Sequence, residues 1–169
     1  MRIIVSDSGC LIDLRKASLL DAFLKLPYKI LIPNTLFEDD LLKFTNAQKK
    51  ALVRGGLKVM DLPGEGVLRA QRVVRGTPQL SIQDGFAFAL AETYAGCILL
   101  TGGGPLRTLA VAHHMKVHGV LWVVDKIHTN KLGTAASLHA ALLLLADEPA
   151  VRLPRRELAA SIKRYSELR

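Results

Sequence analysis

Asp7 closes the apolar run Arg2–Val5 after one serine, and Asp84 sits three residues beyond Ser81 at the head of a second apolar stretch. Between them Glu38 and Asp39 follow Pro33 at the start of a third hydrophobic segment. Three or four carboxylates gathered within about 5 Å repel one another by roughly 3 kcal/mol per ionised pair at an effective dielectric near 20. Such a cluster persists when some members keep a proton or when a hard cation binds it. Oxygen-only ligands suit Mg²⁺ or Mn²⁺. A cation held there polarises a phosphoryl oxygen and prepares a water for in-line attack on a phosphodiester. The plain alternative is that acids in a helix's first turn offset the helix dipole, which alone accounts for Glu38, Asp39 or Asp84. Asp7, placed straight after a strand, gains nothing from that effect.

For these acids to meet, the elements carrying them must converge. Strands are expected at Arg2–Val5, Lys29–Ile32, Leu57–Leu62, Cys97–Leu100 and Gly119–Val124. Helices are expected around Leu19–Leu24, from Asn34 or Thr35 through Phe44, and over Asn46–Arg54, Gly66–Arg75, Ile82–Tyr94, Leu106–Val117, Ala135–Ala146 and Arg155–Tyr165. Strands alternating with helices predict a mainly parallel sheet covered on both faces. In such sheets chemistry collects at the carboxyl edge. Asp7, the acids after the second strand, Asp84 and the run Thr101-Gly102-Gly103-Gly104 all belong at that edge.

The bulk properties agree. A chain of 169 residues, half of them hydrophobic and only 5% aromatic, suits one aliphatic-cored domain. The expected division is a core over about residues 2–125 and a helical tail over about 126–169. Mean hydropathy is +0.25, and the apolar run Ala140–Ala146 is too short to span a bilayer. The start of the chain reads as a strand, so a soluble cytoplasmic protein with no membrane role is expected. Cys10 and Cys97 have no zinc-ligand spacing and read as free buried thiols. A formal charge of +8 favours encounter with a polyanion such as RNA.

Other motifs carry less. Gly102-Gly103-Gly104 lacks the spacing of a dinucleotide loop and the lysine of a phosphate loop. His114 and His118 lie four apart on an expected helix, a metal-ligand spacing with no third ligand beside it. Asp125 reads as a helix cap after the fifth strand, and Trp122 as a core residue within that strand. Arg107 is placed to hold a phosphate, although an exposed helical arginine is the plainer account.

Taken together, Ile3-Ile4-Val5-Ser6-Asp7-Ser8, Ile32-Pro33 with Phe37-Glu38-Asp39, Leu80-Ser81-Ile82-Gln83-Asp84 and Leu99-Leu100-Thr101-Gly102 resemble the PIN domain. No one of these motifs is specific, but four in order at compatible spacing are. The resemblance implies a Rossmann-like three-layer α/β/α fold with a five-stranded parallel sheet ordered 3-2-1-4-5 and a helical C-terminal extension. It implies a Mg²⁺- or Mn²⁺-dependent endoribonuclease acting on single-stranded RNA, with Asp7, Asp84 and Glu38 (or its neighbour Asp39) as catalytic metal ligands and Ser8 and Thr101 beside them. Many such proteins are toxins that form homodimers and are silenced by a small antitoxin protein. The family pattern Thr-x-Asp reads Thr101-Gly102-Gly103 here, so weakened activity is expected, and a non-catalytic RNA- or protein-binding module is the alternative.

Overall fold

The structure, a computed structural model, describes residues 1–168. Five strands form one all-parallel sheet: β1 (Arg2–Ser6), β2 (Tyr28–Pro33), β3 (Lys58–Met60), β4 (Ile98–Leu100) and β5 (Lys116–His118), in the order β3-β2-β1-β4-β5. Ile4, Val5, Ile30, Leu31, Ile32, Ile98, Leu99 and Leu100 are all buried in unbroken runs. Strands that lacked cover on one face would alternate polar and apolar, so both faces of the sheet centre are covered. This is the expected α/β architecture.

The helices are α1 (Ser8–Lys16), α2 (Leu20–Leu24), α3 (Asn34–Asp39), α4 (Asn46–Arg54), α5 (Gly64–Gly76), α6 (Ile82–Glu92), α7 (Gly104–Ala112), α8 (Val120–Thr129), α9 (Ala135–Asp147) and α10 (Arg155–Glu167). The order of the sheet follows from where the chain turns back. From β1 it winds outward through β2 to β3, then crosses to the other side of β1 for β4 and β5. The switch point therefore lies between β1 and β4, where a cleft opens beyond the carboxyl ends. α6 packs against β1, β2 and β4 and delivers its first turn to that place. No described helix is long and apolar enough to cross a membrane.

The fifth strand is a correction. Gly119–Val124 was expected to be extended, but the strand is Lys116–His118 and Val120 begins a helix. Val120, Val123, Val124 and Ile127 are the buried residues of α8. Their spacing of three and four marks a helix face, and it overrides the strand preference of three valines and a tryptophan. α7 ends early for a matching reason: His114 adopts φ 61°, which stops the helix and frees Met115–His118 to extend. His114 and His118 consequently do not share a helix. Trp122 lies on α8, half-buried and stacked on the His118 ring at 4.4 Å. Asp125 lies inside α8 and caps nothing; it pairs with Arg164 and accepts a hydrogen bond from the buried Tyr165 hydroxyl at 2.7 Å. That contact ties α10 to α8.

Candidate functional site

Asp7 is built into place by its own backbone. Its N–H donates to the Leu100 carbonyl at 2.9 Å, one step beyond the last β1–β4 pair, Ser6 with Leu100. One carboxylate oxygen, Oδ1, caps α1 by accepting from the Cys10 N–H at 2.8 Å. α1 begins at Ser8, so an acid directly after the strand does serve a helix terminus after all. The Thr101 hydroxyl and the Cys10 thiol, close by, also favour the charged form of this carboxylate. Burial nevertheless dominates and raises the Asp7 pKa, with the charge of Asp84 adding to the rise. Two carboxylates thus face one another closely enough to interact.

Asp84 is held by a reciprocal cap. The Ser81 hydroxyl accepts from the Asp84 N–H at 3.1 Å, and Asp84 Oδ2 accepts from the Ser81 N–H at 3.2 Å. That leaves Oδ1 without a bond to the cap. Asp7, Asp84, Thr101 and Gly103 line one cleft of about 580 Å³ at the sheet's carboxyl edge.

A third acid in this cleft, Asp13, was missed in the sequence. Burial, opposed by Lys16 and reinforced by Asp7, pushes its pKa up to about 6. Gly9, Ile12, Asp13 and Lys16 all line the cleft and stand at i, i+3, i+4 and i+7 along α1. That spacing was the available signal.

Glu38 and Asp39 do not line the cleft. Both are exposed, because Leu36 and Phe37 occupy the buried face of α3 and each further residue turns about 100° around the axis. The next acid, Asp40, comes back to the inner side four residues after Leu36. It accepts a hydrogen bond from the Ser8 hydroxyl at 2.8 Å. Ser8 is thereby turned toward Asp40. Arg107 is exposed on α7 with its Nε 3.7 Å from where a β-carbon on Gly103 would stand.

The whole of this arrangement falls within one match to a family model, DUF3368, described as a PIN domain and covering residues 3–167. The chain belongs to the PIN-domain family. The match runs through α9 and α10, beyond the span that the motifs themselves cover. No curated protein matches the chain significantly. PIN domains are generally nucleases and generally depend on a divalent metal.

The donor set of this PIN domain can be tested against that chemistry. Among the described residues, no three His, Cys, Asp or Glu side chains are gathered into a group that would hold a metal ion. Mg²⁺, however, is ordinarily held by one or two carboxylates together with waters and substrate phosphates. Asp7 and Asp84, both partly buried and mutually repelling, fit that mode of binding; a closed protein cage they do not fit. Gly103, with φ 122°, contributes a backbone bend and no ligand oxygen.

Proposed function

We propose that this PIN domain is an endoribonuclease for single-stranded RNA, dependent on Mg²⁺ or Mn²⁺, with activity lowered by Gly103. The observation that carries the reading is the shared cleft of Asp7 and Asp84 at the switch point of the sheet. A divalent ion bound there supplies Lewis-acid polarisation of the scissile phosphate and a more acidic water.

The chain's own residues do the rest. Asp7 is oriented by the Cys10 N–H, and Asp84 by its cap, so neither has to be reorganised when substrate arrives. Asp13, with a pKa of about 6, exchanges a proton near neutral pH at the cleft wall. Arg107, beside Gly103, is available to a phosphate oxygen. The resemblance to PIN toxins extends the reading to a homodimeric toxin silenced by a small protein partner.

Two observations favour a second reading, a non-catalytic module that binds RNA or a protein. Gly103 stands where the family pattern carries an acid, and no three-ligand group is assembled among the described residues. Incubation of the purified protein with mixed single-stranded RNA in Mn²⁺, against EDTA, Asp7→Asn and Asp84→Asn controls, decides between them. Cleavage that needs Mn²⁺ and both acids supports the nuclease. RNA left intact in Mn²⁺ assigns the module.

A further inference from the structure

The cleft does not end at its acids. It shares Gly102 and Arg152 with a groove of about 800 Å³ formed by α9, α10 and their connector. It shares Ile12 and Lys16 with another groove of about 280 Å³, which runs past Arg15, Lys43 and Phe44. The two grooves have no lining residue in common, so the acidic cleft is the middle of a longer path. Net charge changes sign along it: Arg15, Lys16 and Lys43 outnumber Asp40 at one end, Asp7, Asp13 and Asp84 fill the middle, and Arg152 and Arg155 outnumber Glu148 at the other.

None of those five cations makes an ion pair among the described residues, where the salt bridges are Arg69–Glu92 and Arg164–Asp125. Arg152 is exposed on the α9–α10 connector, and Lys16 is half-exposed in the last turn of α1, on the face that lines the cleft. The larger groove is mostly apolar, with Leu145, Leu153, Leu158 and Ile162 on its walls. Basic side chains that leave apolar surface between them suit a polyanion whose bases are free to lie against the walls. A duplex hides its bases and is too stiff to follow such a path.

We infer that Arg152 and Lys16 are phosphate-holding residues on either side of the acidic cleft, and that the α9–α10 connector is a wall of a channel for single-stranded RNA. This rests on the nuclease reading for the identity of the polyanion. The helical extension is then part of the substrate site. It places one cation where the strand leaves the cleft, while α1 places the other where it enters. A chain held on both sides presents an internal phosphodiester to Asp7 and Asp84.

The test measures binding of a short fluorescent single-stranded RNA in EDTA, so that no cleavage is needed. Arg152→Ala and Lys16→Gln are each expected to weaken binding several-fold and to reduce the slope of log K against log salt by about 0.7. Arg75→Ala, which removes the same charge from the exposed end of α5, is expected to leave affinity and slope near those of the parent. If Arg152→Ala and Lys16→Gln change binding no more than Arg75→Ala, the channel is overturned. Equal binding of duplex RNA, or of a poly-glutamate peptide that depends on Arg152, overturns it too, the latter in favour of an acidic protein partner. If RNA binding in EDTA depends on both residues but Mn²⁺ produces no cleavage, the channel stands and the nuclease reading falls.

Discussion

The backbone N–H of Asp7 donates to the carbonyl of Leu100 at 2.9 Å, carrying the β1–β4 ladder one residue past the last strand pair. That bond sets Asp7 beside Thr101, whose hydroxyl favours the charged form of the Asp7 carboxylate. The position of Asp7 is thus fixed by main-chain geometry before its side chain is considered. Substitutions at Asp7 can therefore alter its charge with little effect on its position.

Asp7→Asn should abolish stabilisation by Mn²⁺. A ligand that binds only the folded state raises Tm by mass action, worth about 2.7 kcal/mol at a hundredfold excess over Kd. The parent should gain stability as Mn²⁺ is added, and Asp7→Asn should not. In EDTA the variant should be as stable as the parent or more so, since burial and Asp84 both disfavour the Asp7 charge. Thermal melts of both proteins with and without Mn²⁺ check this, and equal Mn²⁺ gains would remove Asp7 from the site.

Asp13 gives the metal-free protein a definite pH dependence. Its folded pKa, about 6, lies above that of an unfolded carboxylate, so the native state keeps a proton that the unfolded chain has released. Stability from this group is therefore greatest at low pH and declines as pH rises from about 4 towards 6, then levels off. Asp13→Asn should be nearly neutral in acid and stabilising at neutral pH. The gain should be about 1 kcal/mol once solvent screening of this half-exposed group is allowed for. Urea titrations in EDTA at acid and neutral pH measure it; a variant no more stable than the parent at neutral pH contradicts the assignment.

Gly103→Asp should strengthen metal binding and Mn²⁺-dependent cleavage at a cost in stability. The obstacle is the backbone: φ 122° is a conformation that side-chain-bearing residues rarely adopt, costing about 1–3 kcal/mol. Space is not the obstacle, since the nearest atom to an added β-carbon is Arg107 Nε at 3.7 Å. Gly103→Ala carries the same backbone strain without the carboxylate. Both variants should melt lower than the parent in EDTA, but only Gly103→Asp should recover in Mn²⁺ and cut faster. Identical Mn²⁺ responses in the two would mean that no ligand position exists at residue 103.

Tyr165→Phe should loosen α10 without touching the metal response. The Tyr165 side chain is buried and its hydroxyl donates to Asp125 Oδ1 at 2.7 Å. Burial, with the Asp125 charge, pushes the phenol up to about 12. Losing a hydrogen bond to a charged acceptor should cost about 1.5–3 kcal/mol, read from the urea midpoint. The Tm gain from Mn²⁺ should persist, because Asp125 lies outside the acidic cleft.

Local sequence determined the larger part of the fold. Buried apolar runs at Ile30–Ile32 and Ile98–Leu100 mark covered parallel strands, since only a sheet shielded on both faces tolerates them. Ser81 with Asp84 marks a helix start because the capping bonds span three residues and need no tertiary partner. Asp7 and Asp84 were legible for the same reason: each sits at a boundary between elements that the chain itself announces.

Tertiary structure decided the rest. Whether Val120–Val124 extends or coils depended on what its valines pack against, and helix spacing won over strand preference. Which acid at the end of α3 turns inward depended on the helix phase set by burial of Leu36 and Phe37, so Asp40, the residue that caps α3, faces Ser8 while Glu38 faces solvent. Arg152 came to the mouth of the cleft from a distant connector only when the helices docked on the sheet. Proximity between residues remote in the chain is a property of packing, and no local spacing encodes it.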